Sequence, residues 1–151
     1  MPSTGSYERE ILSIRKPIDE SVANDNTLND DGALLLPVAA GEIVHFQVNA
    51  YWLAGAGGIR VAFNGPAAFT NLRYCISLYG AGGANVVAGA VAAWDSIAAG
   101  GANDNGTILG CGCLENGANA GNVIFRWAQN NINVANTTVY RGSHLRMIRV
   151  P

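Results

Sequence analysis

Residues 121–129 read GNVIFRWAQ. Val123, Phe125 and Trp127 alternate with Asn122, Ile124, Arg126 and Ala128, a period of two that predicts a strand with one strongly apolar face. A Phe-x-Trp pair on one face is a large apolar payload, and aromatics at strand spacing pack against their neighbours. The stretch reads as a central strand of a β-sandwich core. Arg126 lies on its opposite face, and the pattern gives way after Gln129 to the polar run NNINVANTT.

The rhythm recurs along the chain. In residues 42–53, EIVHFQVNAYWL, Val44, Phe46, Val48, Ala50 and Trp52 face one way, against Gln47, Asn49 and Tyr51. Residues 58–64 align Ile59, Val61 and Phe63, and Asn64-Gly65-Pro66 is a turn signal. Residues 69–79 align Leu72, Tyr74, Ile76 and Leu78; residues 107–114 and 143–150 add further strands. Residues 9–16 make a first strand with Leu12 and Ile14 inward, stopped by Pro17, and Pro37 places the short strand 33–38 at an edge or near its own end. Residues 84–94, ANVVAGAVAAW, are small and apolar on both faces. A strand covered on both sides is preferred to a helix there because Gly89 and three Val interrupt the Ala. Residues 18–32, 98–106, 115–121 and 130–138 read as loops. The result is an all-β fold, an antiparallel β-sandwich or jelly roll of about eight to nine strands. Its candidate core and subunit-packing residues are Phe46, Trp52, Phe63, Val87, Val91, Trp94, Phe125 and Trp127.

The 151 residues suit one domain, divided as an N-terminal arm and first strand over 1–16 and a sandwich over 17–151. Only 13% of residues are charged, about half the usual share, so a monomer has little with which to cover its surface and self-association is expected. A net charge of −2 gives no basic footprint for nucleic acid. The apolar run Val86–Ala93 is too short to span a bilayer, and MPSTGSYERE has no apolar core of a secretory signal. Three cysteines are too few for a disulfide scaffold. Cys111 and Cys113 share a face and Cys75 is remote, so all three read as reduced, buried thiols of a protein made in a cytoplasm.

No motif of catalysis is present, and no catalytic, metal or cofactor residue is assigned. His45 and His144 sit in separate strands, too few for a cupin-type metal shell, and Cys111-Gly-Cys113 has no second pair to complete a zinc site. Asp25, Asp30 and Asp31 before Gly32 lack EF-hand spacing and read as solvated turn residues. Tyr51, Tyr79 and Tyr140 could form a sugar platform, although packing at sheet ends or between subunits is preferred. The chain reads as a binding or structural protein, not an enzyme.

Three stretches carry a resemblance: KPIDESVANDNTLNDDGALLLPVAAGEIVHFQVNAYW at 16–52, GIRVAFNGP at 58–66, and AGNVIFRWAQNNINVANTTVYRGSHLRMIRV at 120–150. Together they resemble a family of small phage and prophage virion structural proteins, similar to trimeric jelly rolls of the tumour-necrosis-factor and C1q type. The T-L-N-D-D, R-W-A-Q and T-T-V-x-x-G-S-x-L segments are its specific parts; 67–119 adds nothing, and the C-G-C at 111–113 departs from the pattern. The resemblance implies a bacteriophage capsid decoration (cement) protein: a homotrimer on the virion surface, made in the host cytoplasm, with itself and the major capsid protein as partners. No nucleic acid, membrane, cofactor or catalytic residue is implied. Tyr7, Glu8, Arg9 and Glu10 of the arm are the candidate capsid contact. A tail-fibre or receptor- and glycan-binding module is the alternative, with Tyr79, Asn103, Asp104, Asn131 and Asn136 as its loop residues. The sequence shows no coiled-coil or collagen-like shaft, which favours decoration.

Overall fold

The computed structural model describes residues 10–81 and 85–150, with the backbone alone over 85–90. Among them are twelve strands and no helix. They are β1 (Ile11–Arg15), β2 (Glu20–Val22), β3 (Asn29–Val38), β4 (Ile43–Ala54), β5 (Ile59–Asn64), β6 (Phe69–Gly80), β7 (Asn85–Val91), β8 (Ala98–Gly100), β9 (Asp104–Asn116), β10 (Gly121–Gln129), β11 (Thr137–Val139) and β12 (His144–Val150). The larger sheet runs β1-β12-β4-β9-β6-β7, with β11 bridging β4 to β2; the smaller runs β3-β10-β5-β8. All pairings are antiparallel. From β3 to β6 the chain changes sheet at every strand, and it changes again at β8, β9, β10 and β11. That wrapping of two antiparallel sheets is the jelly-roll form of a sandwich.

The period-two pattern decides which face turns inward. Val44, Phe46, Val48, Ala50, Trp52 and Ala54 of β4 are buried, as are Ile59, Val61 and Phe63 of β5 and Leu72, Tyr74, Ile76 and Leu78 of β6. Val123, Phe125 and Trp127 of β10 are buried from the facing sheet. The rings interlock edge to face: Phe63 lies 5.0 Å from Phe46, 5.4 Å from Tyr74 and 6.1 Å from Phe125. Each such pair contributes about 0.5–1.5 kcal/mol beyond its buried area.

The glycines of TILGCGCL follow from these rings. On β9 the inward positions are Ile108, Gly110, Gly112 and Leu114. A Cβ at Gly112 would meet the Phe46 ring at 2.4 Å, and one at Gly110 would meet Phe63 at 2.9 Å. Rings from β4 and β5 therefore occupy the space a side chain would need, and the cysteines take the outward positions between.

The structure corrects several expectations. Among the described residues strands number twelve, not eight or nine, because the segments read as loops contain β2, β8, most of β11 and the first residues of β3 and β9. Three-residue strands are too short to show a period. Asp31 is not a solvated turn residue: it is 1% exposed. The thiols are not all buried, since Cys111 is exposed and Cys75 and Cys113 are half-buried. Residues 84–94 do include a strand, β7, but Trp94 lies beyond it. Pro37 lies on β3, which is an edge strand of the smaller sheet.

Candidate functional site

The outward face of the larger sheet is built by register across β12, β4, β9 and β6. Gln47 lies between Arg146 and Cys111, and Cys111 faces Cys75. One row along, His45 lies between Ile148 and Cys113, with Ile11 beyond Ile148 and Arg73 beyond Cys113. In the other direction Leu109 lies between Asn49 and Ser77, and Thr107 between Tyr51 and Tyr79. Tyr51, Leu53, Tyr79 and Leu109 are each about two-fifths exposed. On β4 and β9 the outward positions from Ile43 to Leu53 and from Asn105 to Cys113 carry no carboxylate and no Lys or Arg; the charged residues of the face are Arg73 on β6, Glu115 at the end of β9, and Arg146 on β12 beside Gln47. A shallow hollow of about 260 Å³ opens at its centre, lined by His45, Gln47, Cys111, Arg146 and Ile148.

Strand pairing brings Cys75 and Cys111, remote in sequence, to an Sγ–Sγ distance of 3.5 Å. Burial first, and then the hydrogen bond with Cys75, push the Cys111 thiol above its ordinary value; burial followed by the nearby Glu115 charge does the same at Cys113. Both shifts disfavour the thiolate, so neither is an activated nucleophile. His45 and His144 are not brought together: His144 pairs with Asn49, four positions along β4 from His45. Among the described residues no group of three or more His, Cys, Asp or Glu side chains is placed to hold a metal ion.

One end of the sandwich gathers the candidate loop residues. The main chains of Asn103, Asn131 and Asn136 bond to the Gly55–Gly58 turn: Asn103 N–H to Gly55 O at 2.9 Å, Asn131 N–H to Gly57 O at 2.8 Å and Gly55 N–H to Asn136 O at 3.0 Å. Asp104 and Tyr79 stand nearby at the ends of β9 and β6. Gln129, fully buried, holds the 130–136 loop in shape, donating to Ala135 O at 2.6 Å and accepting from Asn133 N–H at 3.1 Å. Two apolar side chains on this fixed loop stand in solvent, Ile132 at 63% and Val134 at 81% exposed. Tyr140 is half-buried, and its N–H bonds Tyr51 O across β11 and β4.

A second cluster, not expected from the sequence, joins the two sheets at their edges. The Lys16 ammonium donates to Asp31 Oδ2 at 2.7 Å and to Glu20 Oε2 at 2.5 Å. The Lys16 and Asp31 side chains are 1% and 0% exposed. Trp127 Nε1–H also donates to Asp31 Oδ2, at 3.1 Å, and Asp31 Oδ1 accepts the N–H groups of Ala33 and Leu34 at 3.0 and 3.1 Å. The available signal was that Lys16 is the only lysine in a chain that otherwise uses arginine. Such a residue is rarely buried unless paired.

Of the candidate core residues, Phe46, Trp52, Phe63, Phe125 and Trp127 are at most 5% exposed, and Val91 and Trp94 pack half-buried against them. The Val87 side chain lies outside the described residues. So do Tyr7, Glu8 and Arg9 of the arm. Glu10 is exposed and its carboxylate pairs with Arg149, which also forms an ion pair with Glu42 at 2.5 Å.

No protein-family model matches the chain, and no curated protein matches it. Among solved structures it is similar to a chain in the structure of infectious bursal disease virus, Gx strain, at 12% identity and a TM-score of 0.23. That match covers 95% of this chain and 39% of the viral one. At that TM-score the likeness carries no argument.

Proposed function

We propose that the chain is a non-enzymatic virion structural protein: a bacteriophage capsid decoration protein that binds the outer capsid surface as a homotrimer and stabilises the head. One observation carries the assembly part, the weakly charged outward face of β12, β4, β9 and β6. A solvent-facing sheet ordinarily alternates apolar inward with charged or polar outward. Here Tyr51, Leu53, Leu109 and Tyr79 stand outward with Cys, Thr, Asn and Gln between them, and few charges among exposed aromatic and aliphatic residues is the composition of a subunit interface. The virion part rests on the resemblance of residues 16–52, 58–66 and 120–150. The exposed Ile132 and Val134 favour the alternative of a tail-fibre or receptor-binding module, in which the loop end would meet the target.

Co-sedimentation with capsids stripped of decoration tests the reading. Binding by the native chain, reduced at least tenfold on deleting residues 2–8, supports decoration through the arm. Undiminished binding after that deletion removes the arm from the account. Absence of binding by the native chain, together with capture on glycans or host cells lost in an Ile132→Asp, Val134→Asp variant, favours the module.

A further inference from the structure

The corner made by Lys16, Asp31 and Glu20 holds the parts of a condensation reaction, and we infer that it is a site of covalent modification: an amide bond formed by the chain itself between Lys16 Nζ and Asp31 Cγ. The inference is independent of the virion reading. It rests on three features that a plain ion pair does not need. First, the ammonium is shared by two carboxylates, at 2.7 Å from Asp31 and 2.5 Å from Glu20, so a second carboxylate is in place to take its proton. Second, the oxygens of Asp31 are differently served. Oδ1 accepts two main-chain N–H groups, an arrangement that stabilises an oxyanion, and Oδ2 faces the proton donors Lys16 and Trp127. Third, Lys16 and Asp31 are almost fully excluded from solvent, while the Glu20 side chain is half exposed and lines, with Asn29 and Trp127, a cleft of about 160 Å³ through which water can leave.

The main chain fixes the reactants. Lys16 N–H bonds Ser143 O at 2.7 Å and Lys16 O accepts Gly142 N–H at 2.9 Å, and Asp31 lies within β3. Well-oriented groups reach effective concentrations of roughly 10⁵–10⁸ M, which lowers the barrier to their condensation.

The step balances without an outside reagent. One proton passes from the Lys16 ammonium to Asp31 Oδ2 across their 2.7 Å bond, and the neutral amine attacks the neutral carboxyl at Cγ to form the N–C bond while Glu20 takes a second ammonium proton. The negative charge gathers on Oδ1, under the Ala33 and Leu34 N–H groups. The Cγ–Oδ2 bond then breaks, and Oδ2 leaves as water with two of the three ammonium protons, the second relayed by Glu20, which ends as it began. One ammonium and one carboxylate become one amide and one water, and nothing is oxidised or reduced. The product would tie the residue that follows β1, at the edge of the larger sheet, to β3, at the edge of the smaller.

Intact mass of the purified full chain under denaturing conditions tests this, with an 18 Da deficit expected. Asp31 precedes Gly32, so a main-chain succinimide would give the same deficit, and two further readouts separate them. Lys16 supplies the only side-chain amine. The amide would therefore leave the denatured chain with a single amine-reactive group, at its N-terminus. Cleavage after glutamate would release 11–20 and 21–42 as one joined species. Glu20→Gln should restore full mass in a chain that keeps the native strand spectrum, and Lys16→Arg should do the same. Full mass in the native protein overturns the inference. A deficit that persists in Lys16→Arg also overturns it, by assigning the loss to the succinimide.

Discussion

Along β4 the two faces of the larger sheet can be compared residue by residue. Inward, Val44, Phe46, Val48, Ala50, Trp52 and Ala54 are at most 2% exposed and meet the rings of the facing sheet. Outward, Ile43, His45, Gln47, Tyr51 and Leu53 stand in solvent, and across the sheet Leu109, Cys111 and Tyr79 continue the surface. The inward face is specified by volume, to the point that Gly110 and Gly112 leave room for Phe63 and Phe46. The outward face has no such fit and little charge. One face is complete within a single chain; the other is the face that the proposed assembly would cover.

Substitutions of graded severity sharpen or break that contrast. Phe63→Ala, in the centre of the ring cluster, should cost about 3–5 kcal/mol in a denaturant titration, by lost burial and the cavity left behind. Gly112→Ala keeps the composition nearly unchanged but drives a methyl toward Phe46 and Tyr74; overpacking should cost about 1–3 kcal/mol by the same titration. Arg126→Ala removes ion pairs at 2.7 Å to Asp30 and Asp95 that are half open to solvent, and the loss should be about 1 kcal/mol and smaller at high salt. Leu109→Lys, on the outward face, should change the stability of the folded chain by no more than about 0.5 kcal/mol. A cost for Leu109→Lys approaching that of Phe63→Ala would mean that the outward face is held by the chain's own packing, and the contrast would fail.

The long strands were legible because a period of two needs only six or more residues to show, as in β4, β6 and β10. What was hidden was short or depended on register. ESV, AAG and TTV carry no pattern of their own; β2 and β11 form because β11 lies against Leu53 and Trp52 and brings Glu20 and Ser21 alongside. Cys75 meets Cys111 because β6 pairs with β9 rather than with its sequence neighbour β5, and no spacing rule predicts that. Asp31 looked like one polar residue in an Asp- and Asn-rich run. Its burial is decided by Trp127, 96 residues away, and by a lone lysine 15 residues back.

The central claim, that the outward face of the larger sheet joins subunits, is tested most directly by the solution mass of the native chain beside that of a Tyr51→Glu, Leu109→Lys variant. Light scattering after size exclusion should give three times the 15.7 kDa chain mass for the native protein and a single chain mass for the variant, with the same strand spectrum in both. A native protein that runs as a monomer, or a variant that keeps the native mass, would contradict the account.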